Sequence, residues 1–435
     1  MAYAIQTRRG EELNRLYPED LPVHEWYRFV LSYPPHLVRD YLKRFGLEPD
    51  QTVLDPFCGT GTTLVECKKV GVPSVGLEAN PVVEFAARTK TRWDVDPDGL
   101  MSHAREIADT TRHILSREGV EDEPFFQIPP PDDEISLQSL SPEQERLVIT
   151  NSISSRPLHK VLRLLEVMEG RREDAVYDYE RLALAKQLVY SISNLRFGPE
   201  VGVGKQKEDA PVVGPWLLGV RNMSDDLRGV GDRKRVPTKV HLADARGLSE
   251  VLEPGSIDAV ITSPPYPNEK DYTRTTRLES VLLGFLNSRD DLRQHKRNLL
   301  RSNTRTVYKK DEDEQWVVRN ATVQALADAI ETRRLELGKT SGFERLYARV
   351  VRLYFGGMAR HLEELKRVLR PGAQLAYVVG DQASYFRVLI RTGEVLAEIA
   401  ESLGYEVVGI DLFRTRFSTA TQQQLREEVV LLRWN

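Results

Sequence analysis

Apolar runs that stop at an acid or a small polar residue recur along this chain. TVLDPF (Thr52 to Phe57) leads into a glycine turn and then into TLVECKKVG, whose apolar positions are spaced for a helix. SVGLEAN (Ser74 to Asn80) reads as the next strand and again ends near an acid, Glu78. The same pattern predicts strands at KVHLADA (Lys239 to Ala245), IDAVITS (Ile257 to Ser263), AQLAYVVGD (Ala373 to Asp381), EVVGIDLF (Glu406 to Phe413) and EVVLLRW (Glu428 to Trp434). Helices fit between them, and MARHLEELKRVL (Met358 to Leu369) is expected to stop at Arg370-Pro371-Gly372. Strand, glycine turn, helix, strand ending in an acid is the opening of a nucleotide-type α/β sheet. The closely spaced last strands predict an antiparallel edge on an otherwise parallel sheet.

Two stretches interrupt that alternation. Residues 95–235 carry a Pro- and acid-rich linker, EDEPFFQIPPPDDE, and helical segments such as LHKVLRLLEVMEG and YERLALAKQLVYSI. Residues 287–345 open on RQHKRNLLRSNTRTVYKK, pass through an acidic DEDE, and predict a helix from Ala321 to Leu337. The expected organisation is therefore one α/β domain assembled from residues 1–94, 236–286 and 346–435, with a mostly helical insertion at 95–235 and a basic, helical one at 287–345.

Composition narrows the function classes. The 435 residues suffice for two or three domain-sized units. No apolar run reaches the roughly 18–20 residues of a membrane span. The N-terminal stretch has no apolar core of a secretory signal, so a cytoplasmic location without membrane association is expected. Two cysteines, Cys58 and Cys67, build neither a disulfide framework nor a zinc site. No histidine pairs with Cys, Asp or Glu at ligand spacing, and HEWYRF lacks the second histidine of a metalloprotease helix, so no metal is assigned. The net charge of −4 means that any grip on nucleic acid must be local. The basic run from Arg293 to Lys310 (Arg293, Lys296, Arg297, Arg301, Arg305, Lys309, Lys310, with no acid among them) is the best candidate for a DNA clamp, and FRTRFS (Phe413 to Ser418) is another.

Two motifs carry chemistry. DPFCGTGTT (Asp55 to Thr63) has neither the Lys-Ser/Thr pair of a P-loop nor the third glycine of a dinucleotide fingerprint. An acid before the turn suits an ammonium group, and Glu78 at the next strand end suits ribose hydroxyls. Together they favour S-adenosylmethionine over a pyrophosphate ligand. TSPPY (Thr262 to Tyr266) follows IDAVI at the ligand edge of the sheet. Its prolines fix φ and lack N–H donors, which holds Ser263 and the Pro264 carbonyl as rigid acceptors beside an aromatic ring. Two acceptors aimed at the N–H bonds of an exocyclic amino group would direct its lone pair at an electrophilic methyl. Tyr266 would stack on a base flipped out of a duplex.

These motifs resemble those of the amino-group DNA methyltransferases that use S-adenosylmethionine. Phe57, Gly59 and Gly61 match their F-x-G-x-G, and Ser263-Pro264-Pro265-Tyr266 match their [D/N/S]-P-P-[Y/F/W], in the serine form more typical of cytosine-N4 enzymes. SYPPHLVRDYL (Ser32 to Leu42) resembles the segment that covers the methionine end of the cofactor. Glu78 matches the ribose acid, and Asp244 in HLADAR the residue facing the adenine. The resemblance implies a Rossmann-like methyltransferase sheet. Its cofactor site would comprise Asp55, Phe57, Cys58, Gly59, Gly61, Thr62, Glu78, Asp244 and Ala245, and Ser263, Pro264, Pro265 and Tyr266 would be catalytic. Glycine half before SPPY half is the reverse of the usual cytosine-N4 order. The cysteines lie away from TSPPY, which argues against a covalent cytosine-C5 mechanism.

Asp381, in VVGD, and the loop residues Asn268, Lys270 and Tyr272 are further candidates for the target nucleotide. The expected activity is cytosine-N4 methylation of duplex DNA, with adenine-N6 methylation, an RNA base methyltransferase and an idle nucleic-acid-binding subunit as the alternatives. The resemblance also implies a restriction–modification or defence setting with a companion restriction endonuclease.

Overall fold

The computed structural model describes residues 16–27, 32–123, 136–197, 200–268, 270–418 and 422–435. Most of the predicted Pro-rich linker, at 124–135, and the N-terminal 1–15 lie outside the described residues. In chain order the strands are β1 (Val53–Asp55), β2 (Ser74–Glu78), β3 (Leu195–Phe197), β4 (Val201–Val203), β5 (Thr238–Leu242), β6 (Ile257–Thr262), β7 (Leu369–Gly380), β8 (Glu406–Ser418) and β9 (Gln423–Arg433). β3 and β4 form a separate hairpin, and the other seven form one sheet in the order β5-β2-β1-β6-β7-β9-β8. Pairing is parallel from β5 through β7 and antiparallel for β7–β9 and β9–β8. This is the mostly parallel, Rossmann-like sheet that the strand pattern predicts. Its antiparallel strand β9 sits one position in, with β8 outermost.

Strand periodicity sorts side chains into two layers. Leu375, Tyr377 and Val379 of β7, with Val430 and Leu432 of β9, pack on one face against the helices Tyr347–Leu365 and Thr392–Ser402. Ala376, Val378, Val429 and Leu431 face the other way, onto the helix Pro35–Phe45 through Leu37, Val38, Tyr41 and Leu42. β1 splits likewise, with Val53 to one layer and Leu54 to the other.

A third core belongs to the first insertion. The helices Pro97–Arg117, Ser155–Gly170, Tyr177–Gln187 and Val213–Gly229 close around buried Tyr179 and Trp216. The first of these, capped by Asp96 through bonds from Asp98 N and Gly99 N, was not anticipated from sequence. Among the described residues no helix is long and apolar enough to cross a membrane.

The chain order fixes where a ligand can enter. Strands run outward from β1 to β2 to β5, then resume on the other side of β1 with β6 and β7. The reversal lies between β1 and β6, and open α/β sheets bind ligands at the carboxyl edge of such a switch point. The glycine turn leaves β1 and the SPPY turn leaves β6, so both predicted motifs meet there.

Candidate active site

Both turns open onto one cavity of about 610 Å3, within the usual range for small-molecule sites. Phe57, Cys58, Gly59 and Thr62 line it from the glycine turn, and Glu78, Asp244 and Ala245 from the ends of β2 and β5. Ser263, Pro264, Pro265 and Tyr266 line it from β6.

Gly59 has φ +52°, and a Cβ built there meets nothing within 4 Å. The turn thus leaves open space along the cavity wall. Beside it, Glu78 is half-buried, and its carboxyl oxygens accept from Gly59 N at 3.1 Å and Asn80 N at 2.8 Å. Burial pushes the Glu78 carboxyl up to about 7. Asp244 is gripped by Arg246, Nε to Oδ1 at 3.0 Å and Nη2 to Oδ2 at 2.5 Å, while Arg246 also reaches Asp313.

On the other side, Ser263 Oγ donates to the Val378 carbonyl of β7 at 3.1 Å. Its single proton is committed there, so its oxygen is available only as an acceptor. The Tyr266 ring lies against Gly380. A Cβ at Gly380 would come within 3.0 Å of Tyr266 Cε2 and 3.3 Å of Glu427 Cγ.

Two residues expected at the cofactor do not line the cavity. Asp55 is fully buried behind the glycine turn. Its Oδ1 accepts from Thr262 Oγ1 at 2.6 Å and Phe57 N at 3.2 Å, and its Oδ2 from Tyr33 OH at 3.1 Å. Burial raises its carboxyl above the ordinary range. This carboxyl ties the two turns together from behind the cavity wall. Gly61 has φ +84° and caps the helix Thr62–Val70. A Cβ there would meet Ala87 at 3.3 Å, so its role is close packing against the helix Pro81–Thr91.

The weaker candidates divide. Asn268, Lys270 and Tyr272 line the cavity, as do Arg414 and Arg416 of FRTRFS. Asp381 does not: it is buried, and its Oδ2 accepts from Arg391 Nη1 at 2.7 Å and Arg426 Nε at 3.2 Å. The basic run is not a row of free cations either. Arg301 is buried and bidentate to Asp311, at 2.9 Å on each oxygen, and Lys296 is turned inward. Both cysteines are buried, and burial pushes both thiols up. Cys58 lines the cavity at its glycine-turn end, and Cys67 does not line it.

Sequence reasoning missed His361, Gly380 and Glu427. His361 is buried behind Ala245 and Phe57, Glu427 lines the cavity, and Gly380 supports Tyr266. Gly380 stands in VVGD, which drew attention for its acid.

Comparison with known proteins finds DNA methyltransferases. A family described as DNA methylase, of the N6/N4 type, matches residues 6–87. The chain is 26% identical over 448 aligned positions to the type II methyltransferase M.BsoBI of Geobacillus stearothermophilus, covering 94% of this chain and 84% of that one. It is 25% identical over 425 positions to the type II methyltransferase M.AvaI of Nostoc sp., covering 92% and 83%. A shorter match to M.MjaII of Methanocaldococcus jannaschii is 37% identical over 74 residues, covering 17% of this chain and 14% of that protein.

Proposed function

Because the chain belongs to the amino-group (N6/N4) DNA methyltransferase family, whose members take their methyl group from S-adenosylmethionine, we propose that it methylates cytosine at N4 in duplex DNA. The observation that carries this reading is the meeting of the glycine turn and the SPPY turn on one cavity at the β1/β6 switch point. The choice of cytosine rests on Ser263 in the first position of the catalytic motif.

The residues fit the cofactor. Space left beside Gly59, an acid at the end of β2 and an acid at the end of β5 suit a small turn-bound moiety, a ribose and an adenine. Phe57, Cys58, Gly59, Thr62 and Glu78 would hold the first two, and Asp244 and Ala245 the third. When bound, S-adenosylmethionine supplies a methyl group on a positively charged sulfur.

The chain's own contribution is to shape the amine. An exocyclic amino nitrogen is a poor nucleophile because its lone pair is delocalised into the base. Ser263 Oγ and the Pro264 carbonyl would accept its two N–H bonds and turn the lone pair toward the methyl. Tyr266 would hold the flipped base by stacking. Alignment of this kind supplies much of the acceleration in a direct transfer. With both thiols buried and raised, the proposed reaction needs no thiolate adduct with the base.

The relatives' type II designation supports a place in a restriction–modification pair, with a companion endonuclease cutting the unmethylated site. The insertion at 95–235 is proposed to read the target. The test is nucleoside mass spectrometry after incubating the purified chain with labelled S-adenosylmethionine and unmethylated duplex DNA or total RNA. N4-methylcytosine in DNA is the expected product. N6-methyladenine would keep the mechanism and overturn the base, and label in RNA alone would overturn the DNA substrate.

A further inference from the structure

The side-chain contacts of the basic segment at 289–310 tie it to the loop that follows Tyr266. Lys296 stands on the helix Arg289–Asn298, and its Nζ pairs with Asp271 Oδ2 at 2.9 Å. The two side chains are 14% and 4% exposed, so the pair is largely out of water. Asp271 uses its other oxygen to cap the short helix Tyr272–Thr275, accepting from Thr273 N at 3.0 Å and Thr273 Oγ1 at 2.7 Å. Although burial opposes it, the Lys296 ammonium and these hydrogen bonds hold the Asp271 carboxyl below the ordinary range. One residue earlier, Lys270 O accepts from Asn303 Nδ2 at 2.9 Å, and Asn303 is itself buried.

The segment that makes these two contacts is rigidly built. Arg301, locked to Asp311, also donates to the Lys296 carbonyl at 2.9 Å and the Arg297 carbonyl at 3.1 Å, closing the helix end that carries Lys296. Arg246 Nη2 reaches the same Arg297 carbonyl at 3.2 Å, which connects this helix end to Asp244. Across the loop, Asn80 Nδ2 donates to Thr276 Oγ1 at 3.2 Å and joins the far end of the loop to the end of β2, beside Glu78. The loop leaving Tyr266 is thus held from two sides, by β2 and by the basic segment.

We propose that the 289–310 segment braces the catalytic loop, with Lys296 and Asn303 as positioning residues that set Tyr266 and the SPPY turn against the cofactor wall. This rests on the methyltransferase reading above for its kinetic consequence, though not for its structural one. A sequestered ion pair is screened little by salt, and losing one partner leaves a buried charge that the loop must move to hydrate. Loop movement of even part of an ångström is costly to an aligned transfer.

The test uses the full-length chain with Lys296→Met, Lys296→Arg and Asn303→Ala. It measures single-turnover methyl transfer at saturating DNA and cofactor, DNA Kd as a function of salt, and backbone hydrogen exchange across 270–276. Lys296→Met is expected to slow single turnover by about tenfold or more. DNA Kd and its salt slope should stay at wild-type values, and Thr273 N–H should exchange faster. Lys296→Arg should retain most of the rate, and Asn303→Ala should shift rate and exchange in the same direction by less. A Lys296→Met protein with wild-type single turnover and a salt slope reduced by about 1 would identify Lys296 as a phosphate contact and overturn the brace. Unchanged exchange in both Lys296→Met and Asn303→Ala would overturn it too, whatever the substrate. A wild-type chain that methylates no DNA would remove the functional reading alone, since the exchange measurement still decides the brace.

Discussion

His361 is fully buried behind the cavity wall. Its Nδ1 contacts the Ala245 carbonyl at 2.8 Å and its Nε2 the Tyr377 hydroxyl at 2.7 Å, with the Phe57 ring edge-on at a centroid distance of 5.0 Å. A carbonyl only accepts, so Nδ1 carries the proton and Nε2 is free to accept from Tyr377. Burial pushes the His361 pKa down to about 4, which keeps the ring neutral at pH 7. His361→Leu leaves a buried carbonyl and a buried hydroxyl without their partner. At about 1–3 kcal/mol for each orphaned group, the variant should lose about 2–6 kcal/mol at pH 7.

The pH dependence makes the test sharper. An unfolded histidine titrates near 6.5 and the folded His361 near 4, so the unfolded chain binds more protons between those values. The wild type must lose stability as pH falls through that window. The loss attributable to His361 between pH 7 and pH 5 is about 2 kcal/mol. Leucine does not titrate, and other groups, including His24, whose pKa burial also lowers to about 4, cancel between the two proteins. The stability gap between wild type and His361→Leu should therefore shrink by about 2 kcal/mol from pH 7 to pH 5. Urea unfolding of both proteins at both pH values measures it. An unchanged gap would mean that His361 titrates in the fold as it does unfolded, and a wider gap that it is held charged; either would refute the neutral bridging role.

Three further outcomes are expected. Ser263→Ala and Tyr266→Ala should abolish methyl transfer while cofactor binding, followed by calorimetry, stays within a few-fold of wild type; two fully active variants would mean the site is wrongly assigned. Gly380→Ala forces the Tyr266 ring aside, so steady-state kinetics should show kcat falling by about five- to tenfold with melting temperature little changed. Glu78 protonates near pH 7 and then loses acceptor capacity, so cofactor affinity should weaken as pH falls below about 7. Glu78→Gln should bind the cofactor more weakly and lack that step, which binding titrations between pH 6 and pH 8.5 would reveal.

The sheet was legible because each core strand alternates between two packed layers, and that period of two survives in the sequence as IDAVIT or AQLAYVV. Helices hid where packing overrode propensity. The helix Tyr347–Leu365 begins eleven residues before its predicted start and runs through Gly356-Gly357. In the fold, a Cβ at Gly356 would overlap Asp313 O at 1.9 Å, and one at Gly357 would meet Leu300 Cδ1 at 2.4 Å. Those glycines admit the second insertion against the helix, a long-range demand that no local pattern records. Arg370-Pro371-Gly372, expected only to end a helix, falls within β7 where its pairing with β6 shifts register, from Ile257–Leu369 to Ala259–Gln374. The pairing of Lys296 and Arg301 was hidden for a related reason: their acidic partners Asp271 and Asp311 lie outside the basic run in the chain.

Asp55 states the same lesson at the site. Sequence placed an acid before the glycine turn and gave it to the ligand, because a carboxylate there is chemically suited to an ammonium. The fold places that carboxylate where β1 and β6 run side by side, with Thr262 of the SPPY strand on one oxygen and Tyr33 of the upstream segment on the other. Thr63, on the helix after the glycine turn, joins Tyr33 and also donates to the Ile261 carbonyl at 3.1 Å. One buried acid therefore fixes the distance between the glycine turn and the SPPY turn, the two turns proposed to hold the cofactor and the amine. In a direct transfer, where no covalent adduct holds the reactants together, that distance is what the protein must control.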